Sequence, residues 1–212
     1  MEFTGFPVAA LDFYDDLEVD NTRSYWAAHK HVYDECVKAP MAALCAALER
    51  DFGTAKIFRP YRDVRFAKDK TPYKTHQGAF VAAGPSTGWY VQLSAEGLRV
   101  GGGFYEASGE RLAAIRAAMA DDHTGPALKR LLTRLEKAGF EINGEQLKTA
   151  PRGYAADHPR IDLLRRKQLF ANRSYGFEDV IHTPEFLGMV RADWRALKPL
   201  VTWLRSRPPA ST

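Results

Sequence analysis

The residues best suited to chemistry lie in one basic stretch, residues 56–76. Seven Lys and Arg stand there against two Asp, which gives a net charge of +5. Because the Arg guanidinium is a planar fork of donors and Lys is a compact cation, such a stretch favours binding of a carboxylate or phosphate. Its Tyr side chains could flank the bound group. The candidate ligand-binding residues are Arg59, Tyr61, Arg62, Asp63, Arg65, Lys70, Tyr73 and Lys74.

A second basic segment, residues 148–173, also carries seven basic and two acidic residues and adds Arg152 to the candidates. Residues 1–55 have the opposite sign, with four basic and ten acidic side chains. Two segments of +5 repel each other when they meet, unless acidic side chains or a bound anion lie between them. We therefore predict that Arg152 joins the first stretch in one anion-binding pocket. The cations expected to converge with it are Arg59, Arg65 and Lys74.

Two other motifs give weaker signals. His158 follows Asp157 in a turn-rich segment and could act as a general base, but the side chains of adjacent residues seldom adopt the geometry of a catalytic pair. A turn histidine with a structural partner is the favoured interpretation. Three consecutive glycines, residues 101–103, lack the Lys-Ser/Thr ending of a phosphate loop and indicate close strand packing or a bulge. No residue is assigned a catalytic role.

The pattern of the chain changes at Lys56 from Ala-rich helical spacing to short runs of β-branched and aromatic residues. These runs, separated by turn residues, predict an antiparallel four-stranded meander. The predicted strands are residues 56–66, 78–83, 89–94 and 98–105. Helices from the N-terminal and C-terminal parts of the chain should pack on this sheet, so the predicted fold class is α+β.

The two-residue period of a strand decides which polar side chains share a face. We expect a sheet with helices on one side and a floor of Arg, Tyr and Gln on the other, which would form a shallow anion pocket. The residues grouped on this floor are Arg59, Tyr61, Asp63 and Arg65 on the first strand, Tyr90, Gln92 and Ser94 on the third, and Arg99 and Tyr105 on the fourth.

Periodic apolar residues predict helices on both sides of these strands. The first begins near Pro7, the second follows an N-cap at Thr22 and should end before Pro40, and another follows an N-cap at Ser108. Further helices are predicted over residues 41–51, 126–139, 161–170 and 184–205. No low-complexity break divides the chain, so we predict one domain over residues 1–207 and a frayed tail, 208–212.

The composition limits the class of protein. Apolar residues make up 45% and charged residues 26% of the chain, which is typical of a globular domain with a full core. No stretch approaches the roughly 20 apolar residues of a membrane span and no signal peptide is evident, so a cytoplasmic protein without membrane partners is expected. Cys36 and Cys45 are predicted to be reduced, buried small hydrophobes. No Cys, His and Asp cluster has metal-ligand spacing, so no metal and no cofactor are predicted.

The chain carries Arg62-Asp63-Val64-Arg65-Phe66 followed by Asp69-Lys70-Thr71-Pro72-Tyr73-Lys74, which resembles the signature of an uncharacterised family, domain of unknown function 2461. Two further motifs are similar to motifs of that family, Asn21-Thr22-Arg23 with Trp26 and Pro151-Arg152-Gly153-Tyr154 with Asp157-His158-Pro159. The resemblance covers nearly the whole chain. It implies a common fold and brings no established activity, cofactor or catalytic residue.

Three functions are consistent with these patterns. The first is binding, with or without turnover, of a small phosphate- or carboxylate-bearing ligand in an Arg, Lys and Tyr pocket. The second is a nucleic-acid or acidic-protein binding module, which needs an open basic stripe with exposed aromatic side chains. The third is a structural or adaptor protein whose charged motif is an internal ion network. The modest net charge of +4 favours the first. Whether the protein is an enzyme and its oligomeric state stay open.

Overall fold

The computed structural model of the chain describes residues 2–207, and the predicted frayed tail, residues 208–212, lies outside the described residues. The fold combines helices with an antiparallel sheet, which confirms the α+β class. The sheet has six strands instead of the predicted four, in the order β1-β2-β3-β4-β6-β5. The strands are β1 (Ala55–Ile57), β2 (His76–Gly84), β3 (Thr87–Ser94), β4 (Gly97–Phe104), β5 (Glu141–Asn143) and β6 (Leu169–Gly176).

The helices precede and follow the first four strands along the chain. They are α1 (Ala9–Val19), α2 (Arg23–Val32), α3 (Ala39–Phe52), α4 (Gly109–Ala120), α5 (Thr124–Lys137), α6 (Ile161–Leu164) and α7 (Phe186–Arg205). A π-helical segment, Tyr33–Lys38, joins α2 to α3, and a short 3-10 helix, Asp179–His182, precedes α7. Among the described residues, no helix combines the length and the apolar composition needed to cross a membrane.

Local capping rules place two helix starts correctly. The hydroxyl of Thr22 accepts a hydrogen bond from the backbone N–H of Tyr25 at 3.2 Å, and that of Ser108 accepts one from Arg111 at 3.3 Å. Each hydroxyl satisfies one of the backbone donors that have no partner in the first turn of a helix. The predicted N-caps are therefore confirmed.

The predicted helix end before Pro40 is wrong. The helical chain continues without a break from α2 through the π-helical segment into α3, with Pro40 in the first turn of α3. In a regular α-helix, the ring of Pro40 would clash with the carbonyl four residues before it, and its missing N–H would break a hydrogen bond. The wider π turn just before this position removes the regular spacing that creates the conflict.

The predicted strand boundaries are wrong at both ends of the sheet. The first strand ends at Ile57 instead of residue 66, because Pro60 has no N–H to donate to a regular ladder and only an isolated bridge, Tyr61 with Tyr73, follows it. Because residues 58–66 form no strand, they have no two-residue alternation that would place four polar side chains on one face, as was predicted. These residues are Arg59, Tyr61, Asp63 and Arg65. Only four residues of the predicted helix 161–170 are helical, and β6 begins at Leu169. β5 and β6 were not predicted.

The described contacts cluster in two compact units. The first unit comprises Met1–Val81, Tyr90–Val100 and Ser174–Ala192, and the second comprises Ala82–Trp89, Gly101–Arg173 and Asp193–Thr212. The first has a core of fully buried side chains that includes Phe6, Tyr14, Leu17, Leu44 and Leu48, and the second has one that includes Phe104, Ile115, Leu128, Trp194 and Leu204. The single domain expected from the sequence stays a prediction.

The glycines at residues 101–103 lie on β4 in the second unit, where another strand approaches closely. A Cβ atom on Gly103 would lie 2.3 Å from the carbonyl oxygen of Leu169, and one on Gly101 would lie 2.9 Å from that of Ala171. These residues belong to β6, so the glycines permit close strand packing. The two thiols lie in helices of the first unit: Cys45 is buried, which raises its pKa to about 11, and Cys36 is half-buried.

Candidate functional site

The candidate residues of the first basic stretch lie on a loop that begins after β1 and ends before β2. Tyr61 and Tyr73 form an isolated antiparallel bridge that closes this loop. The backbone N–H of Arg62 donates to the carbonyl of Pro72 at 2.9 Å, and that of Lys74 donates to Pro60 at 2.8 Å. The loop therefore has a hydrogen-bonded base, and residues 62–72 form its outer part.

Helix α2 and the residue before its N-cap hold the base of the loop. Asn21 donates from Nδ2 to the carbonyl of Tyr73 and accepts from the N–H of Tyr73, both at 3.1 Å. The indole of Trp26 stacks on the Tyr73 ring, with the centroids 4.2 Å apart and the planes at 7°. Tyr61 lies 6.1 Å from Trp26 between ring centroids and keeps 48% of its surface exposed. The loop base is thus fixed on its helix side.

A second chain of hydrogen bonds holds the start of the loop. Tyr33, in the π-helical segment, donates from its hydroxyl to Oε1 of Gln77 at 2.7 Å. Gln77 is buried and donates from Nε2 to the carbonyl of Phe58 at 2.8 Å. Burial raises the pKa of Tyr33 to about 12, so its hydroxyl keeps the proton needed for this bond at neutral pH. The loop is therefore anchored at both ends.

Most cations in the outer part of the loop have partners within the loop. Arg62 donates to the carboxylate of Asp69 and to the hydroxyl of Thr71. Asp69 also accepts from the backbone N–H of Thr71 at 2.9 Å. The pKa of Asp69 is lowered to about 2, first by that backbone hydrogen bond and then by Arg62. The carboxylate therefore stays charged and keeps Arg62 occupied.

Arg65 and Asp63 form a two-point ion pair in the same part of the loop. Nε of Arg65 lies 3.0 Å from Oδ1 of Asp63, and Nη2 lies 2.7 Å from Oδ2. The side chains stay 77% and 49% exposed, respectively. Lys70 donates to the carbonyl of Val64 at 2.9 Å. This is an ion network, as the third function requires, but it lies on the surface and is not buried.

A different set of polar groups lies on the neighbouring strands. On β3, Tyr90 and Gln92 are half-buried and alternate with the buried Val91 and Leu93, so they face away from the core. Oε1 of Gln92 accepts from the hydroxyl of Tyr90 at 2.9 Å and from the guanidinium of Arg99, on β4, at 3.1 Å. Of the predicted polar floor, only the part formed by these three residues is seen here, because the first-strand members lie on the loop and Tyr105 follows the end of β4. Ser94, which was expected on the same floor, is buried.

Lys74 and His76 bring further positive charge to this region. Nζ of Lys74 donates to the carbonyl of Arg59 at 3.0 Å and lies 5.5 Å from the ring centroid of Phe58. The pKa of Lys74 is lowered by burial and then by the charge of Arg59. His76, the first residue of β2, is half-buried. Its pKa is lowered first by burial and then by the positive charges of Lys74, Arg99 and Arg62.

Five of these residues form what we call the open-face cluster: Lys74, His76, Tyr90, Gln92 and Arg99. Within residues 2–207, no carboxylate forms an ion pair or hydrogen bond with Lys74, His76 or Arg99. The cluster therefore offers two cations and a neutral imidazole that have no paired carboxylate among these residues. Such a set can bind an anion and could place a proton donor or acceptor beside it.

Sequence reasoning named every member of this cluster except His76. The signal for His76 was its position two residues after Lys74 at the start of a strand, in phase with Gly78 and Phe80, where a polar side chain would face the predicted floor. Arg59 is exposed beside Lys74. Arg152 is exposed on a loop of the second unit, and its predicted convergence with the first-unit cations stays a prediction.

His158 lies in the second unit and has the structural partner that the sequence favoured. Its Nδ1 lies 3.1 Å from the backbone nitrogen of Arg160, which donates to it. Arg160 is buried and donates from Nε to the carbonyl of Met119 at 2.8 Å and from Nη2 to Asp122 at 2.8 Å. The turn around His158 therefore positions a guanidinium that satisfies the last carbonyls of α4.

No three His, Cys, Asp or Glu side chains are grouped so that they could hold a metal ion in the described part of the chain, residues 2–207. The absence of a metal and of a cofactor in the working protein stays a prediction. The side chains of the open-face cluster present mainly nitrogen and hydroxyl groups to a ligand. Most of these groups are cationic or donate hydrogen bonds. This chemistry suits an anion and not a divalent cation.

Comparison with known proteins places the chain in a family. A family model described as conserved hypothetical protein (DUF2461) matches residues 9–203. The match covers most of the chain, so the chain belongs to this family, as the motifs in the loop and in α2 indicated. No curated protein and no solved structure matches it.

Proposed function

We propose that this family member binds a small phosphate- or carboxylate-bearing ligand at the open-face cluster. The observation that carries the proposal is that Lys74 ends the loop two residues before His76 on β2, that Arg99 is held on β4 by Gln92 of the intervening β3, and that no carboxylate of residues 2–207 pairs with Lys74, His76 or Arg99. The charges of Lys74 and Arg99 also lower the pKa of His76, after burial. Like charges around a partly desolvated group oppose each other, and a bound anion would relieve that repulsion. The ligand would then lie on the exposed side of β2, β3 and β4.

Each residue of the cluster has a distinct part in this proposal. Arg99 is oriented by its hydrogen bond to Gln92 and keeps further N–H donors for a bidentate contact with the anion. Lys74 is held over Phe58 by its bond to the carbonyl of Arg59 and adds a second positive charge. His76, kept neutral by its surroundings, can donate from one ring nitrogen to the ligand.

The other candidate residues have supporting parts. Arg62, Asp63, Arg65 and Lys70 are engaged within the loop and contact no ligand, with Tyr73 at its base. Arg59 and the partly exposed Tyr61 would form the rim of the site. Arg152 is assigned no contact in this proposal unless the predicted convergence holds. No reaction is proposed, and the cytoplasmic location expected from the sequence stays an expectation.

The charge of the first unit favours a small ligand over a polyanion at this site. That unit contains 13 Lys and Arg and 16 Asp and Glu, a net charge of −3. A long anion such as DNA would be repelled by the acidic residues beyond the cluster, whereas a small one interacts mainly with the nearest cations. The nucleic-acid interpretation of the loop therefore has less support than the small-ligand interpretation.

The test is an NMR titration that follows the imidazole signals of the six histidines while sulfate, phosphate and small carboxylates are added. We expect saturable shifts at His76, with the other histidines as internal controls. Arg99→Gln and Lys74→Met should each weaken binding by about tenfold, the effect of losing about 1.4 kcal/mol of interaction.

Arg65→Met is the matched control, because it removes an exposed cation that is already paired with Asp63. It should leave the His76 titration unchanged. The proposal is wrong if no anion of the panel shifts His76, or if Arg65→Met weakens binding as much as Arg99→Gln does.

A further inference from the structure

Helix α5, in the second unit, has two sides of opposite character. Leu128, Leu132 and Leu135 are buried on one side. The exposed side carries four cations and one hydroxyl at helical spacing, and these residues are called the α5 face: Lys129, Arg130, Thr133, Arg134 and Lys137. Glu136 is exposed at the edge of this face, and its charge partly offsets the lowering of the pKa of Arg166 by burial. Residues four apart on a helix lie one above the other, so 129, 133 and 137 form one row and 130 and 134 a second.

The α5 face lines a shallow depression of about 340 Å³. None of its four cations forms an ion pair with any carboxylate of residues 2–207. This differs from the loop of the first unit, where Arg62 and Arg65 have Asp partners. The positive charge of the α5 face is therefore not neutralised by an ion pair within residues 2–207 and remains available to an external anion.

The unit that carries this face is strongly basic. It contains 17 Lys and Arg and 10 Asp and Glu, a net charge of +7, although the whole chain has only +4. The net charge of the whole chain is small because the negative charge of the first unit offsets part of the positive charge of the second. A basic surface on a basic unit attracts an extended anion and increases its association rate.

The dimensions of the face match a row of phosphates. From residue 129 to residue 137 the helix rises about 12 Å, at about 1.5 Å per residue. One strand of a nucleic-acid duplex has a phosphate about every 3.4 Å along its axis, so this length covers about three or four phosphates. Four cations in two rows, with a hydroxyl donor between them, suit contact with consecutive phosphates.

We propose that the α5 face binds the sugar-phosphate backbone of nucleic acid without reading its bases. A membrane surface is disfavoured because α5 exposes no large apolar side chain; those exposed in residues 2–207 are Val8, Val19, Tyr61, Phe66, Tyr105 and Phe177. An acidic protein segment is disfavoured because its carboxylates vary in spacing, whereas the two rows here are regular. The proposal uses no residue of the open-face cluster and does not depend on the proposed small-ligand site.

The experiment measures binding of a fluorescent 20-base-pair DNA duplex, and of an RNA duplex of the same sequence, by anisotropy over a series of salt concentrations. Binding should be salt-dependent and insensitive to sequence. The variant Arg130→Gln/Arg134→Gln should weaken binding at low salt by at least tenfold. It should also reduce the slope of log K against log salt by about two, because about 0.9 counterions are released per phosphate contact.

The matched control is Arg50→Gln/Lys198→Gln, which removes the same charge from exposed positions on α3 and α7. It should change the slope by much less than the α5 variant. Gln is a good helix former, so both variants should keep the melting temperature of the parent. Lys74→Met/Arg99→Gln should bind duplexes as the parent does, which separates this proposal from the small-ligand site.

Parallel titrations use polyglutamate and vesicles that contain phosphatidylserine. The proposal is overturned if either binds through the α5 face more tightly than the duplexes do. It is also overturned if the duplexes do not bind at low salt, or if the α5 variant and the charge-matched control lose affinity equally.

Discussion

The side-chain amide of Asn21 pairs with both backbone hydrogen-bonding groups of Tyr73, 52 residues away along the chain, at 3.1 Å each. The amide thus supplies the donor and acceptor that a neighbouring strand would supply. Tyr73 is also one half of the bridge that closes the loop. A single side chain before α2 therefore fixes the base of the loop, and the residue that follows Tyr73 there, Lys74, belongs to the open-face cluster.

Replacing Asn21 should destabilise the fold. Asn21→Ala removes two hydrogen bonds that each contribute about 1 kcal/mol, so the free energy of unfolding should fall by about 2 kcal/mol in urea titrations. Asn21→Asp should be at least as harmful, because a carboxylate oxygen would replace the donor that faces the carbonyl of Tyr73. The neighbouring exposed Asp20→Asn is the control and should have little effect. Equal stability of Asn21→Ala and the parent would show that the pairing does not hold the loop.

Replacing an arginine should change the free energy of unfolding little in the first basic segment and strongly in the second. Arg65→Met removes an exposed ion pair and should leave the urea midpoint unchanged within error. Arg160→Met deprives the buried carbonyl of Met119 of its donor and should lower the free energy of unfolding by about 2–3 kcal/mol. A large loss for Arg65→Met would support the internal-scaffold function instead.

Gly103 should not tolerate a side chain. Its φ of +149° is unfavourable for other residues, and a Cβ would lie 2.3 Å from the carbonyl oxygen of Leu169. Gly103→Ala should therefore cost at least about 2 kcal/mol. Gly109→Ala is the matched control: nothing lies within 4 Å of its Cβ, and Ala is the better residue in the first turn of α4. Denaturant titrations in which both variants kept the stability of the parent would contradict the close approach of β4 and β6.

The elements predicted correctly depend on interactions between near neighbours along the chain. The N-caps at Thr22 and Ser108 are local, and so are the turns that join β2, β3 and β4. β6 escaped prediction because polar residues interrupt its alternation, and their partners lie far away in sequence. Asn172 accepts from Nδ2 of Asn143 at 2.8 Å, and Arg173 donates to the buried Asp193 at 2.6 Å.

The candidate site shows the same limit. The basic stretch identified the loop and its cations, but composition could not distinguish Arg65, which is paired, from Lys74, which faces no carboxylate. That distinction depends on how the loop closes. His76 was missed because its only signal was its phase with Gly78 and Phe80 on the predicted second strand, and the charges of Arg62 and Arg99 come near it only in the fold.

Acidification should lower the free energy of unfolding through protonation of His76. The pKa of His76 in the folded state is lowered from its ordinary value of 6.5 by burial and then by nearby cations. As the pH falls through that ordinary value, the unfolded chain takes up a proton before the folded one does, so the free energy of unfolding decreases. His76→Gln should show a smaller decrease than the parent between about pH 7.5 and pH 5.5. His31→Gln, at an exposed position on α2, should follow the parent, and identical profiles for all three proteins would refute the assignment.

The affinity for sulfate should increase as the pH falls, although the free energy of unfolding of the ligand-free protein decreases over the same range. Sulfate keeps its double charge throughout this range, so any change in its affinity comes from the protein. An anion beside His76 favours the imidazolium and offsets the repulsion from Lys74 and Arg99, so binding is linked to uptake of a proton. Calorimetric titrations from about pH 7.5 to pH 5.5 should show the affinity of the parent increasing severalfold. In His76→Gln the affinity should be nearly constant, because the variant lacks the imidazole that takes up the proton. If His76→Gln retained the pH dependence of the parent, the anion would have to bind elsewhere.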